Sequence, residues 1–294
     1  MIKKKKIEPH IFMAPSYLLL LLFIAYPLFN TIRMAFMQYR LTRPADRDFI
    51  GLENFRAVFD DPNLAMILSN SALFVGVVVG LQFLLGLTLA MALRRPFKGR
   101  TIYQGIVFVP WALSNFIVGL MFQWLFNAEF GPINDILLRI GFITERMSFL
   151  GSPVLSIWTV IIALTWQGIP FFGIMLLAAL QSVPTDYYEA ASIDGCSRIK
   201  GFFYITLPTI KPIVIVTLLL RTIWVFNNAE IIFVMTRGGP ANTSHTLASY
   251  MFVRAFTALD FGQASAIGVM FMLALLIFVA LFLGLTRYHD AKGE

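Results

Sequence analysis

The sequence predicts an all-α membrane protein with six transmembrane helices, and three observations predict it. Hydrophobic residues occupy 58% of the 294 positions and charged residues 13%, more apolar surface than one soluble core of this length could hide. The apolar positions gather in windows long enough to cross about 30 Å of hydrocarbon: Phe12–Phe36, Ser69–Leu93, Ile102–Phe126, Val154–Gln181, Ile210–Met235 and Ala264–Thr286. Between them lie segments carrying proline, glycine and charge, the composition of loops. The whole chain, residues 1–294, reads as a single transmembrane domain.

The first window follows Lys3–Lys6 and has the outline of a signal peptide. It is long, contains Pro27 and lacks a small-x-small cleavage pattern, so it is expected to remain as an anchor. The second contains Gly76-x3-Gly80, a spacing at which helices pack closely, and Gln82, expected to be a buried polar contact between helices. The third is defined by length and apolarity alone. The fourth carries Trp166-Gln167-Gly168-Ile169-Pro170, where the proline frees a backbone carbonyl as in broken helices beside binding sites, with a plain kink that touches no ligand as the alternative. The fifth holds Arg221, Trp224, Asn227, Asn228 and Glu230, and ionisable groups at such depth face a bundle interior or a wet cavity. The sixth closes the count and puts both termini on one side.

Orientation follows from the basic residues. With Lys3–Lys6, Arg94–Arg100, Arg198, Lys200, Lys211, Arg287 and Lys292 on one face, the positive-inside rule makes that face cytoplasmic. The segments Met37–Leu68, Asn127–Pro153 and Thr236–Gln263 are then outside, with Pro44, Pro62, Pro132 and Gly238-Gly239-Pro240 as turn residues. The net charge of +7 would suggest nucleic acid in a soluble protein. Here the basic residues flank apolar spans, so lipid and not nucleic acid is the expected surrounding.

Enzymatic chemistry finds little support. The one cysteine, Cys196, forbids an intramolecular disulfide. His10, His245 and His289 lie in separate segments, so no metal or catalytic site is expected. No Gly-x4-Gly-Lys-Ser/Thr phosphate loop occurs, and any ATP-driven step must use another subunit.

The segment 182–209 is the informative exception. Asp186, Glu189, Asp194, Arg198 and Lys200 would each cost about 2.5–3.5 kcal/mol at the bilayer centre, so it stays in the cytoplasm. Pro184, a capping-box-like Asp186 and Glu189 pair, and Gly195 as a stop predict a short helix over Tyr187–Asp194. Ala190 and Ala191 give it a low-relief side, and Tyr187, Tyr188 and Ile193 are apolar anchors for a docking protein. A second helical piece, Ser197–Tyr204, leads through Pro208 and Pro212 into the fifth span.

Here the chain resembles a known family. Glu189-Ala190-Ala191, three residues, Gly195, nine residues, then Ile205-x-Leu207-Pro208 is similar to the EAA loop of permease subunits in binding-protein-dependent ABC importers. Phe49-Ile50-Gly51-Leu52-Glu53-Asn54-Phe55, Leu220-Arg221-Thr222-Ile223-Trp224 and Gly238-Gly239-Pro240 through Asp260-Phe261-Gly262-x-Ala264-Ser265-Ala266 resemble its carbohydrate branch, the maltose- and glycerophosphodiester-type permeases. The likeness spans nearly the whole chain, departing at Cys196, where alanine is commoner, and at Glu230, where aspartate is.

The resemblance implies the type I ABC importer permease fold and a transport subunit, not an enzyme, in a bacterial or archaeal cytoplasmic membrane. It also implies four partners: a homologous second permease, an ATP-binding subunit in two copies that holds ATP and Mg, an extracytoplasmic solute-binding protein, and a sugar or sugar-derivative substrate. Glu189, Ala190, Ala191, Asp194 and Gly195 would couple the chain to the ATPase.

The fifth span supplies the expected substrate path. At about 100° per residue Arg221 and Glu230 lie on opposite faces, while Asn227 and Glu230 share one and Trp224 stands a turn inward. An aromatic platform with amide and carboxylate acceptors suits a polyhydroxylated ligand, because sugar CH faces stack on rings and hydroxyls need partners. Trp224, Asn227, Asn228, Glu230 and, from the fourth span, Gln167 are the candidate path residues. Interhelical bonds by Asn228 and Glu230, with Arg221 snorkelling or pairing with a second subunit, are the structural alternative. Two other functions are weighed. One is an ion-coupled secondary carrier with Glu230 as its ion group; the other is an intramembrane enzyme using Glu230 or Arg221, which lacks a second acid–base partner.

Overall fold

A computed structural model describes residues 8–43, 45 and 47–286, with side chains from residue 12 onward. Lys3–Lys6, Pro44, Arg287, His289 and Lys292, together with the side chain of His10, lie outside the described residues. The elements run α1 (Glu8–Leu20), a π-helical segment (Leu21–Ala25), α2 (Tyr26–Ala35), α3 (Glu53–Phe59), α4 (Leu64–Arg94), α5 (Arg100–Ala112), α6 (Asn115–Leu125), α7 (Pro132–Arg139), α8 (Leu155–Gln181), α9 (Thr185–Ile193), α10 (Arg198–Gly201), a second π-helical segment (Phe202–Thr206), α11 (Leu207–Phe226), α12 (Glu230–Met235), α13 (Leu247–Phe256) and α14 (Phe261–Leu285).

Among the described residues, five helices are long and apolar enough to cross a membrane, namely Phe12–Ala35, Leu64–Arg94, Leu155–Gln181, Arg198–Met235 and Phe261–Leu285. The expected third span is not one straight helix. α5 and α6 meet at 93°, with Leu113 extended and the Ser114 side chain accepting from Ile117 N to start the second helix. Pro110 has no N–H to give the ladder, and the serine offers the chain a fresh N-terminus.

The contacts gather into two compact units, Met1–Leu64 with Met251–Leu273, and Ala65–Tyr250 with Ala274–Glu294. In the first unit two of the family-like stretches meet. Asn54 Nδ2 donates to the carbonyls of Ala35 (3.0 Å) and Met37 (2.9 Å), and a Cβ on Gly262 would press on Met37 O and on the same amide. Arg40 Nε pairs with Asp260 Oδ2 at 2.7 Å, and Arg254 Nη2 with Asp61 Oδ2 at 3.1 Å. Those residues therefore hold the segment 37–63 against the start of α14.

The second unit is built on α8. Eighteen of its residues, Ser156 through Leu180, are buried, among them Leu164, Phe172 and Leu176. α8, where Pro170 suggested a break or a plain kink, runs as one helix over Leu155–Gln181. The lost Pro170 N–H removes one rung, while the rest of the helix is buried except along a stripe through Trp158, Ile162 and Trp166. Gly76 and Gly80, expected as the close helix contact of α4, have open space where their Cβ atoms would stand. The close contact of α4 lies further along, at Gly86, whose Cβ would overlap Phe172 Cβ and meet Ile169 O and Gly173 N at 3.1 Å.

Candidate functional site

Two places concentrate the singled-out residues, both in the second unit. The first is the elbow between α8 and α11. Its helix α9 begins at Thr185, with Pro184 as N-cap and no side-chain cap bond. The expected capping box of Asp186 with Glu189 is therefore absent: Asp186 is already the second helical residue, and it meets the helix dipole from within the first turn. At the other end Gly195, at φ +73°, takes the left-handed conformation. Cys196 N donates to Ala191 O (2.9 Å) and Gly195 N to Ser192 O (3.1 Å), the paired bonds of a Schellman stop.

After that stop, Ser197 caps α10 by accepting from Lys200 N. The expected α-helix over Ser197–Tyr204 is shorter, Arg198–Gly201, and gives way to the π-helical Phe202–Thr206. Pro208 offers no N–H to the ladder below it. Tyr188, expected as an exposed docking anchor, turns inward: its hydroxyl lies 2.7 Å from Thr206 Oγ1, and the Arg94 guanidinium stands 4.9 Å above its ring. The tyrosine thus ties α9 to the base of α11 and to the end of α4. Tyr187 and Ile193 are exposed, the latter at 86%, and Glu189, Ala190 and Asp194 are exposed with them. Ala191 and Cys196 line an apolar groove of about 580 Å³ behind the helix, together with Arg94, Tyr188 and Phe202. The elbow therefore offers an acidic and apolar outer face on a helix fixed to a span.

The second place is a cavity of about 210 Å³ lined by Trp111, Asn115, Leu164, Gln167, Arg221, Trp224, Val225 and Asn228. It brings together three of the five expected path residues, Gln167, Trp224 and Asn228. Gln167 is half committed, since its Nε2 donates to Leu113 O at the bend between α5 and α6 (2.8 Å). Trp224 stands edge-on to Phe171 at 5.2 Å. Asn228 Oδ1 accepts from Ile231 N at 3.4 Å, at the start of α12.

Asn227 and Glu230 are not among the lining residues. α11 stops at Phe226, so Asn227 caps it and returns its amide to Ile223 O (2.8 Å), while Glu230 opens α12. The shared face expected for them presumed one continuous helix.

Two polar or aromatic contributors, Trp111 and Asn115, escaped the sequence reading. Trp111 and Asn115 reach the cavity because of the bend, and the signal for it was Pro110 and Ser114 inside an otherwise apolar window. Arg221 was singled out without a partner; its Nε donates to Gln82 Oε1 at 2.7 Å, and Gln82 Nε2 donates to Leu164 O at 2.6 Å. Gly168 makes room for this, as a Cβ there would overlap both the Gln82 amide and the Arg221 guanidinium. Gln82 is the buried interhelical contact its position suggested.

The chain is similar to known proteins. The chain is 35% identical over 278 residues to the sulfoquinovosyl glycerol transport system permease protein SmoG of Agrobacterium fabrum, covering 95% of this chain and 90% of that protein. It is 33% identical to the trehalose/maltose transport system permease protein MalF of Thermococcus litoralis, covering 95% and 94%. Its fold superposes on a chain of a bacterial ABC transporter that imports the acidic polysaccharide alginate, with TM-score 0.84 and 24% identity over 98% of this chain and 99% of that one. The family described as the binding-protein-dependent transport system inner membrane component matches residues 82–292, a stretch holding both the elbow and the cavity. Carrying the elbow and its Schellman stop inside that match, the chain belongs to the family of binding-protein-dependent transport system inner membrane components.

Proposed function

We propose that this chain is the membrane-spanning permease subunit of an ATP-driven importer of sugars or sugar derivatives. It supplies half of the translocation path beside a homologous permease. Of two copies of an ATP-binding subunit, which hold ATP and Mg, one docks on the exposed face of α9, and an extracytoplasmic solute-binding protein delivers the ligand to the opposite side. In this reading both termini are cytoplasmic, the side that the excess of Lys and Arg favours.

The observation that carries this reading is the elbow itself. A helix with two exposed apolar side chains and three acidic ones, Asp186, Glu189 and Asp194, is tied by Tyr188 and Thr206 to the start of a membrane span. Movement of a protein gripping α9 passes to α11 without a flexible joint. The cavity supports the substrate class: Trp111 and Trp224 contribute aromatic rings to its lining, and Asn115, Asn228 and Gln167 contribute amides, which suits a ligand of CH faces and hydroxyls. The relatives named for sulfoquinovosyl glycerol and for trehalose and maltose agree with it.

The test is purification of the tagged chain in mild detergent, followed by uptake in proteoliposomes. A second permease and an ATP-hydrolysing subunit are expected to co-purify, and uptake is expected to stop when internal ATP is removed. Uptake that survives ATP depletion and collapses with an ion gradient would instead establish a secondary carrier.

A further inference from the structure

We propose that the ligand group seated in the 210 Å³ cavity is anionic, a carboxylate, sulfonate or phosphate ester carried on a sugar and received by the terminal nitrogens of the Arg221 guanidinium. The proposal rests on the sugar-importer reading and adds the charge.

Arg221 is 8% exposed and sits within the apolar helix α11, where a lone cation is costly unless something answers it. The protein answers only part of it. Nε donates to Gln82 Oε1, and the Phe171 ring lies 5.8 Å from Cζ. Both are neutral. No carboxylate lies within 4.0 Å of the guanidinium among the described residues; the ion pairs found there are Arg40–Asp260, Arg146–Asp135 and Arg254–Asp61. Gln82 cannot do more, since its amide nitrogen is engaged with Leu164 O.

The two terminal nitrogens keep four N–H donors at a cavity where the other polar groups are the amides of Asn115, Gln167 and Asn228. A guanidinium fork matches two oxygens of a carboxylate, sulfonate or phosphate at once, and such charge-assisted pairs are stronger than hydrogen bonds to a hydroxyl. Trp111 and Trp224 flank the same space and can take the ring that bears the acid. Gly168 permits the arrangement by leaving room for Nη2 and the Gln82 amide. The bond to Gln82 fixes the direction of the fork without neutralising it, as a receptor for an anion needs.

The test uses the complete co-purified transporter in detergent without its soluble binding protein. Equilibrium binding is measured for three matched probes: methyl glucoside, methyl glucuronide and the 6-sulfonate of methyl glucoside. The acidic probes are expected to bind on the order of tenfold more tightly than the neutral one. Arg221→Gln should erase that difference, and Arg221→Lys, which keeps the charge but not the fork, should retain part of it. Equal binding of neutral and acidic probes, or an undiminished acidic preference in Arg221→Gln, overturns the proposal. If Arg221→Gln fails to assemble, the wild-type and Arg221→Lys comparisons still decide. Binding of the neutral glucoside alone removes the charge and leaves the sugar reading standing. No binding by any of the three removes both.

Discussion

Gly195→Val is expected to abolish coupled uptake while leaving the membrane helices folded and ATP hydrolysis running. Gly195 stands at φ +73°, a conformation in which a β-branched residue is strained by about 1–3 kcal/mol. No atom lies within 4 Å of the place its Cβ would take, so the strain is local to the backbone and does not spread into packing. The chain relieves it by leaving the left-handed region. That breaks the bonds from Cys196 N to Ala191 O and from Gly195 N to Ser192 O, unwinding the end of α9. One or two kcal/mol shift a local equilibrium by a factor of about 5–30, and uptake should fall by at least that much. Gly195→Asn is the control, because asparagine tolerates this conformation and should recover most of the uptake. Undiminished ATP-driven transport in Gly195→Val, measured beside hydrolysis in proteoliposomes, would separate the elbow from coupling.

Gly86→Ala is expected to cost the second unit about 1–3 kcal/mol, the usual range for overpacking, and to lower the yield of assembled protein. The added methyl would overlap Phe172 Cβ and press on the backbone of α8 at Ile169 O and Gly173 N. Neither a backbone atom nor a Cβ can swing aside as the end of a long side chain can, so the two helices must separate. Gly76→Ala, in open space within this chain, should change stability by no more than about 0.5 kcal/mol. Thermal unfolding followed by tryptophan fluorescence distinguishes the two variants; equal effects would mean that α4 and α8 do not meet at Gly86.

The same pair of glycines shows where the sequence was readable and where it was not. A Gly-x3-Gly spacing signals a face that can be approached, and only tertiary structure tells which glycine is approached. Gly86, alone among leucines, carries no pattern. The elbow was legible because its signals are local. Gly195 reports a backbone conformation that other residues avoid, and the spacing from Glu189 to Pro208 is covalent. Its first turn was misread because Pro184 occupies the N-cap, moving Asp186 into the helix and away from any capping partner.

The cavity was half legible. Trp224, Asn228 and Gln167 are polar or aromatic residues in apolar windows, and that alone marks them. Asn227 and Glu230 were carried with them by a helical repeat that ends at Phe226. Trp111 and Asn115 depended on a bend that a hydropathy window averages away. The pairing of Arg221 with Gln82 joins residues 139 apart in the chain, and no local pattern encodes it.

Engineered crosslinking tests most directly the claim that α9 is gripped by an ATP-hydrolysing partner. With Cys196 replaced by serine and a single cysteine introduced by Ile193→Cys, at a position 86% exposed, the intact transporter in membrane vesicles is treated with a short thiol-to-amine crosslinker. A product joining this chain to the ATP-hydrolysing subunit, altered in yield by ATP, is the result expected. Crosslinking confined to the permeases, or position 193 shielded from aqueous maleimide by lipid while no partner subunit is captured, would contradict the account.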